Sequence, residues 1–333
     1  MPSEQQRKQR LAALPPYRSP VWLKGGHAQT IWAKTRLPPA PPYRRQVLTD
    51  STGQTAIPYD WIDSDCADAP LLVLFHGLEG SSHSHYARAL MQAVSERGWQ
   101  GCVAHFRGCG GIANTAPIAY HSGDSAEIGH YLATLRRLHP QRPLYAAGVS
   151  LGGNALAKYL GETGDAALCD AAAVISAPVD LPAASVALEH GLSRRLYAPY
   201  FLHTLLPKVR AEAAQYPPFD LNAVLKSRSL GDFDNAFTAP VHGFADKNDY
   251  YRRAAAKPLL RHIRKPTLLL NAQNDPFMPA AALPGIHDVS EQVYLHQPPQ
   301  GGHVGFVSGS GRGHLRWLPE TLLAFFEFET HPS

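Results

Sequence analysis

The run Leu71-Leu72-Val73-Leu74-Phe75 is apolar at every position and ends in His76-Gly77. Unbroken apolar runs of this length are expected of strands buried on both faces, where alternation disappears. Comparable runs recur at Gly101–Phe106, Leu144–Val149, Ala172–Ser176, Thr267–Asn271 and Gln292–Leu295. Helix-like segments separate several of them, at Tyr86–Arg97, Ser125–Leu138 and Gly153–Leu160. Strands alternating with helices predict an α/β fold: a mostly parallel central sheet with helices on both faces. The alternation stops between about Pro178 and Arg264. That stretch holds Glu189–Leu206, rich in Leu, Tyr and Phe, then Tyr216-Pro217-Pro218-Phe219-Asp220 and Asp249-Tyr250-Tyr251-Arg252-Arg253. A structureless loop of such length is improbable in a compact domain, so a helical cap inserted between two strands is expected. The first forty-odd residues contain Pro15, Pro16, Pro20, Pro38, Pro39, Pro41 and Pro42 and read as an extended arm. The expected organisation is an arm at 1–45 and one domain at 46–333, with the cap at about 178–264. No internal repeat of 20–50 residues is visible.

Length and composition fit this picture. A chain of 333 residues with 44% hydrophobic and 17% charged positions can bury one large core plus an insertion. The formal charge is only +4, and the basic residues are scattered apart from short clusters such as Arg7-Lys8-Gln9-Arg10 and Arg44-Arg45. These read as solvated faces, and no nucleic-acid partner is expected. Cys66, Cys102, Cys109 and Cys169 form no C-x-x-C pair, which argues against a disulfide framework or zinc ribbon and favours a cytoplasmic location. Residues Met1–Arg10 lack a following apolar stretch, and no window approaches the roughly 18 apolar residues of a spanning helix. No integral membrane segment is expected. The oligomeric state is not legible.

Gly148-Val149-Ser150-Leu151-Gly152 matches G-x-S-x-G, directly after an apolar strand and directly before a small-residue helix start. By composition alone the pattern would occur in about one chain in ten of this length. Its placement is what identifies a nucleophile elbow, in which a sharp turn projects the serine from the end of a strand. A serine hydroxyl needs a base, and in this arrangement the chain order is Ser, then Asp or Glu, then His. Asp275 follows the run ending at Asn271, and His303 follows the run ending at Leu295, both beyond strand ends where open parallel sheets place their sites. Asp180 is the competing acid. An oxyanion needs fixed backbone donors, expected from the N–H of Leu151 and the N–H of Leu78 in Phe75-His76-Gly77-Leu78-Glu79-Gly80. His76 is expected to brace that loop. Ser82-His83-Ser84-His85 lacks carboxylate or thiolate partners for a metal, and Gly108-Cys109-Gly110-Gly111 is no phosphate loop. Neither a metal nor an organic cofactor is expected, and Cys109 is not expected to act as nucleophile. The cluster Leu196-Tyr197, Tyr200-Phe201-Leu202 and Leu205-Leu206 is more apolar than a solvated connector requires, and Tyr200 and Phe201 are candidate substrate contacts.

Further strings complete the pattern, several of them without a catalytic explanation from general principles. They are Gly26-His27-Ala28-Gln29-Thr30-Ile31-Trp32, Phe106-Arg107-Gly108-Cys109-Gly110-Gly111, Asp232-Phe233-Asp234, Thr238–Phe244 and Gly302-His303-Val304-Gly305-Phe306. With the loop at Phe75–Ser81, the elbow and Asn274-Asp275-Pro276, they make the chain resemble the YheT-like branch of the α/β-hydrolase superfamily. That branch includes plant embryogenesis-associated proteins and animal ABHD1/2/3-type lipid hydrolases. The resemblance covers nearly the whole chain. It implies a carboxylic-ester hydrolase acting on a small-molecule ester or an acylglycerol-like lipid, with Ser150, Asp275 and His303 as its triad. Acyl transfer to an alcohol and a non-catalytic binding protein on the same fold remain alternatives.

Overall fold

The computed structural model describes residues 4–330. Met1–Ser3, part of the basic N-terminus read from the sequence, lie outside them. Eight strands form one sheet: β1 (Arg44–Thr49), β2 (Ala56–Ile62), β3 (Leu71–Phe75), β4 (Gln100–Ala104), β5 (Leu144–Val149), β6 (Ala171–Ile175), β7 (Thr267–Leu270) and β8 (Val293–His296). Their order is β1-β2-β4-β3-β5-β6-β7-β8. The six strands from β4 to β8 pair in parallel, and β2 and β1 join them antiparallel.

Helices cover both faces. On one, α4 (Ser125–Leu138) and α5 (Leu151–Thr163) pack Tyr131, Leu135 and Leu156 against Val73 and Phe75. On the other, α3 (His85–Glu96) and α12 (Trp317–Thr330) pack Leu90, Met91, Leu322 and Phe326 against Leu72 and Leu74. Alternate residues of β3 thus serve opposite cores, which is why the run shows no polar position. Between β6 and β7 the chain forms α6 (Leu181–Glu189), α7 (Gly191–Glu212), α8 (Leu221–Leu225), α9 (Leu230–Phe233), α10 (Ala239–Val241) and α11 (Lys247–Ala254). Their apolar side chains make a core of their own, with Phe201, Leu205, Phe233 and Phe237 packed against Phe277 of the sheet domain.

The N-terminal segment departs from the extended arm expected of its prolines. It holds α1 (Glu4–Ala13), built from good helix formers, and α2 (Gly26–Thr35), with proline-rich chain only around them. Gln29, Thr30 and Ala33 of α2 are buried against the sheet domain. Strands β1 and β2 were also unforeseen. β1 is largely exposed, so it shows no apolar run, and β2 carries Pro58.

Several histidines are buried in this framework. Burial holds His76, His121 and His242 well below the usual imidazole value, at about 3, and His85 at about 4. Each is neutral in the folded protein, whereas the unfolded chain takes up protons once the pH falls below about 6.5. Their contribution to stability is complete above that pH and is lost as the pH falls towards the folded values. The ring of His242 lies 4.4 Å from that of His121, and its Nε2 has no partner among the described residues. His242→Phe should therefore reduce the fall in Tm between pH 7 and pH 4.5, measured by thermal unfolding. An unchanged or steeper fall would contradict this origin of acid sensitivity.

Candidate active site

Ser150 occupies the turn between β5 and α5 at φ 52°, a conformation that side chains rarely adopt. The flanking glycines are required by close approach. A Cβ on Gly148 would stand 2.6 Å from the Gly152 carbonyl oxygen, and one on Gly152 would stand 2.5 Å from that of His76. A Cβ on Gly77 would come within 3.2 Å of the Ser150 Cβ, so the loop after β3 lies directly beside the serine. The turn projects the Ser150 hydroxyl towards His303, whose Nε2 lies 2.9 Å from Oγ. On its other side His303 Nδ1 lies 3.0 and 3.2 Å from the two carboxylate oxygens of Asp275. Asp275 is fully enclosed and also accepts the backbone N–H of Phe277 at 2.8 Å. The Phe277 ring stacks on the imidazole, with centroids 3.8 Å apart.

Asp275 and His303 stand on loops after β7 and β8, and α2 fastens both. Gln29 Oε1 accepts from Asn274 Nδ2 at 3.0 Å and from the Gly301 backbone N–H at 2.8 Å. Thr30 Oγ1 accepts the backbone N–H of His303 at 2.8 Å and donates to the Gly26 carbonyl. Asn274 Oδ1 accepts from the Gly302 N–H, which ties the Asp275 loop to the His303 loop directly. The packing leaves no room for a side chain on Gly26, where a Cβ would collide with the Asn274 carbonyl. The string Gly26–Trp32 thus acquires a role that its residue types alone did not reveal. The Ser176 hydroxyl accepts from the Val304 N–H, and His85 Nε2 donates to the Val304 carbonyl, so His85 braces the His303 loop.

The loop after β3 is held from three directions. His76 Nδ1 donates to the Gly77 carbonyl at 2.8 Å, and its Nε2 accepts the Phe106 N–H at 3.1 Å. The Tyr86 hydroxyl accepts from the Gly77 N–H, and that of Tyr120 accepts from the Glu79 N–H. Glu79 is at φ 54° and its carboxylate pairs with Lys208 of α7 at 2.6 Å. No acceptor among the described residues takes the backbone N–H of Leu78 or Leu151. Burial pushes the Cys109 thiol up to about 12, so it carries no thiolate at neutral pH. Asp180 is engaged elsewhere: it caps α6 through the Ala183 N–H and pairs with Lys257 at 3.3 Å.

Two spaces meet at Ser150. A cavity of about 140 Å³ runs beneath the helices between β6 and β7, lined by Leu78, Leu151, Phe201, Leu205, Phe237 and Phe277 among others. A cleft of about 310 Å³ opens on the other side, lined by Lys34, Leu37, Gly77, His83, Tyr200 and His303 among others. Phe201 borders both spaces and Tyr200 only the cleft. The apolar cluster read from the sequence therefore divides: Tyr197, Phe201, Leu202 and Leu205 face inward, while Leu196 and Tyr200 face outward. Among the described residues no group of three His, Cys, Asp or Glu could hold a metal ion, and no helix is long and apolar enough to cross a membrane.

Comparison with known proteins agrees with the geometry. Residues 70–310 match the family described as alpha/beta hydrolase fold. YheT of Escherichia coli is 41% identical over 265 residues, covering 78% of this chain and 78% of YheT. Monoacylglycerol lipase of Saccharomyces cerevisiae is 33% identical over 277 residues, covering 80% of this chain and 60% of the lipase. Among solved structures, Est1E from Butyrivibrio proteoclasticus superposes with a TM-score of 0.54 at 16% identity, covering 86% of this chain and 98% of Est1E. From strand order, family match and these relatives together, the chain belongs to the alpha/beta hydrolase superfamily, in its YheT-like branch.

Proposed function

We propose that the protein hydrolyses carboxylic esters through an acyl-enzyme on Ser150. The observation that carries this reading is the continuous contact from Ser150 Oγ to His303 Nε2 and from His303 Nδ1 to Asp275, located where the cavity and the cleft meet. His303 takes the serine proton as Oγ attacks the ester carbonyl, then returns it to the leaving alcohol. Asp275 holds the imidazole with its proton on Nδ1 and stabilises the cation that forms. The N–H groups of Leu78 and Leu151 receive the oxyanion, for which fixed donors need no reorganisation. Water, activated by the same histidine, then releases the acid.

The helices at about 178–264 act as a cap over the acyl chain, which lies in the cavity against Phe201. The alcohol leaves through the cleft beside Tyr200. Several relatives are named as lipases or esterases, which supports a short-chain ester or acylglycerol-like substrate. The cysteine pattern supports a cytoplasmic location, and α2 in the N-terminal segment serves the loops of Asp275 and His303.

Ser150→Ala should abolish p-nitrophenyl ester hydrolysis while leaving Tm nearly unchanged. Asp275→Asn should lower kcat by as much as ~10⁴-fold, as the wrong imidazole tautomer becomes favoured. If Asp180→Asn proves the more damaging change, the acid has been misassigned.

Thr30 acts on the reaction through the backbone of His303. Thr30→Val leaves that buried N–H unpaired, a defect of about 1–3 kcal/mol, and should lower kcat on the order of tenfold with little change in KM. Thr30→Ser should restore turnover. Equal kcat in wild type and the valine variant would remove the arm from the mechanism.

If the cavity takes the acyl chain, each further buried methylene contributes up to about 0.8 kcal/mol until the space is full. Comparing esters from acetyl to dodecanoyl below micelle formation should show kcat/KM rising and then levelling, with the limit shifted in Phe201→Ala. An unchanged profile in that variant would exclude Phe201 from the site.

A further inference from the structure

The exposed apolar residues of α7 fall on one stripe. Leu192, Leu196 and Tyr200 are 52%, 37% and 54% exposed, and their spacing of four places them on one helix face. α2 runs alongside: His27 Nδ1 lies 3.0 Å from the Tyr197 hydroxyl, and Lys34 Nζ lies 3.7 Å from the centre of the Tyr200 ring. Ile31, between His27 and Lys34 on the same face of α2, adds to the stripe, and Leu37 follows at the end of the helix. Lys34, Leu37 and Tyr200 also line the cleft leading to Ser150, so the apolar stripe borders its mouth.

Charge is unevenly distributed along the chain. Residues 5–49 and 190–211 contain thirteen Lys and Arg and no Asp or Glu, which leaves the rest of the chain with a net charge of −9. Arg44, Arg45 and Lys208 pair with carboxylates of the protein itself. Lys24, Lys34, Arg194 and Arg195 are exposed; Lys34 lies against the Tyr200 ring, and Arg195, one turn from Leu192, borders the stripe on α7.

We propose that this face docks on an anionic lipid surface, with the mouth of the cleft turned towards the lipid. Leu192, Leu196, Ile31 and Leu37 would enter the headgroup layer, while the lysines and arginines pair with lipid phosphates, the division of labour of an interfacial helix. A second copy of the chain fits the face poorly, because a twofold contact would set its cations against their own images. The docking is separate from the ester chemistry, and its test reads binding alone.

The test is co-sedimentation of the full chain with vesicles of phosphatidylcholine, with and without phosphatidylglycerol. Wild type should bind the anionic vesicles, bind the neutral ones far more weakly, and be released by salt. Arg194→Glu/Arg195→Glu, which reverses two charges, and Leu192→Glu/Leu196→Glu, which removes apolar insertion, should each weaken binding by more than about tenfold. Leu138→Glu and Ile286→Glu, at exposed apolar positions elsewhere, should bind as wild type does. Turnover of soluble p-nitrophenyl acetate should be unchanged in all four variants. The arginine pair alters no packing, so it keeps the test decisive even if the leucine pair unfolds. No binding to anionic vesicles, or equal binding by wild type and the arginine pair, would overturn the proposal. So would a wild-type dimer in sedimentation velocity that the leucine pair converts to monomer, since a second copy would then cover the face.

Discussion

The site depends on one steric constraint, the close approach of three backbone segments around Ser150. The turn from β5 into α5 brings Gly152 against the carbonyls of Phe75 and His76, and Gly148 against Gly152 and Gly153. Only glycine fits at these contacts, and the serine between them is forced to positive φ. Such a conformation costs on the order of 1–3 kcal/mol and persists only where its surroundings leave no alternative. Here the surroundings are a fully buried strand on each side of β5 and a fully buried α5 start. The other non-glycine residues at positive φ among the described residues, Glu79, Ser176, Val304 and Phe306, lie on loops at the same end of the sheet. Strain is concentrated where the chemistry is proposed.

A rigid serine is useful only if its partners are equally fixed, and loops after β7 and β8 have little regular structure to hold them. The first segment of the chain supplies the missing fixture. Gln29 and Thr30 reach residues more than 240 positions away, and each satisfies backbone or side-chain groups beside Asp275 and His303. The arrangement couples α2 to the geometry of the proposed triad without contact between that helix and the reacting atoms. On the opposite side, the Glu79 and Lys208 pair ties the proposed oxyanion loop to α7. Both partners of the serine and the loop beside it are therefore positioned by elements outside the sheet.

Much of this was legible in the sequence for definite reasons. Strands buried on both faces lose their alternation, so the runs at Leu71, Leu144 and Thr267 stood out. Asp275 and His303, which meet Ser150 in the structure, could be proposed because parallel sheets place functional residues just beyond strand ends, in a fixed chain order. The contributions of Gln29, Thr30 and Phe277 were not readable, because each acts through a contact that only the folded chain creates. Helix α2 was hidden by the prolines on either side, and β2 by the Pro58 within it. Tyr200 and Phe201 were read together as candidate substrate contacts, yet the helix turns Tyr200 outward and Phe201 inward. The basic residues looked scattered along the chain, and only the packing of α2 beside α7 brings two acid-free segments together.

The central claim is that the strained turn and its fixed partners make one serine hydroxyl, out of all those in the chain, a nucleophile. Incubation of the intact protein with a fluorophosphonate probe, followed by mass mapping of the labelled peptide, tests this most directly. A single adduct on Ser150, formed by wild type and strongly retarded in His303→Ala, is the predicted result. Labelling of another residue, or an equal rate of Ser150 labelling without His303, would contradict it.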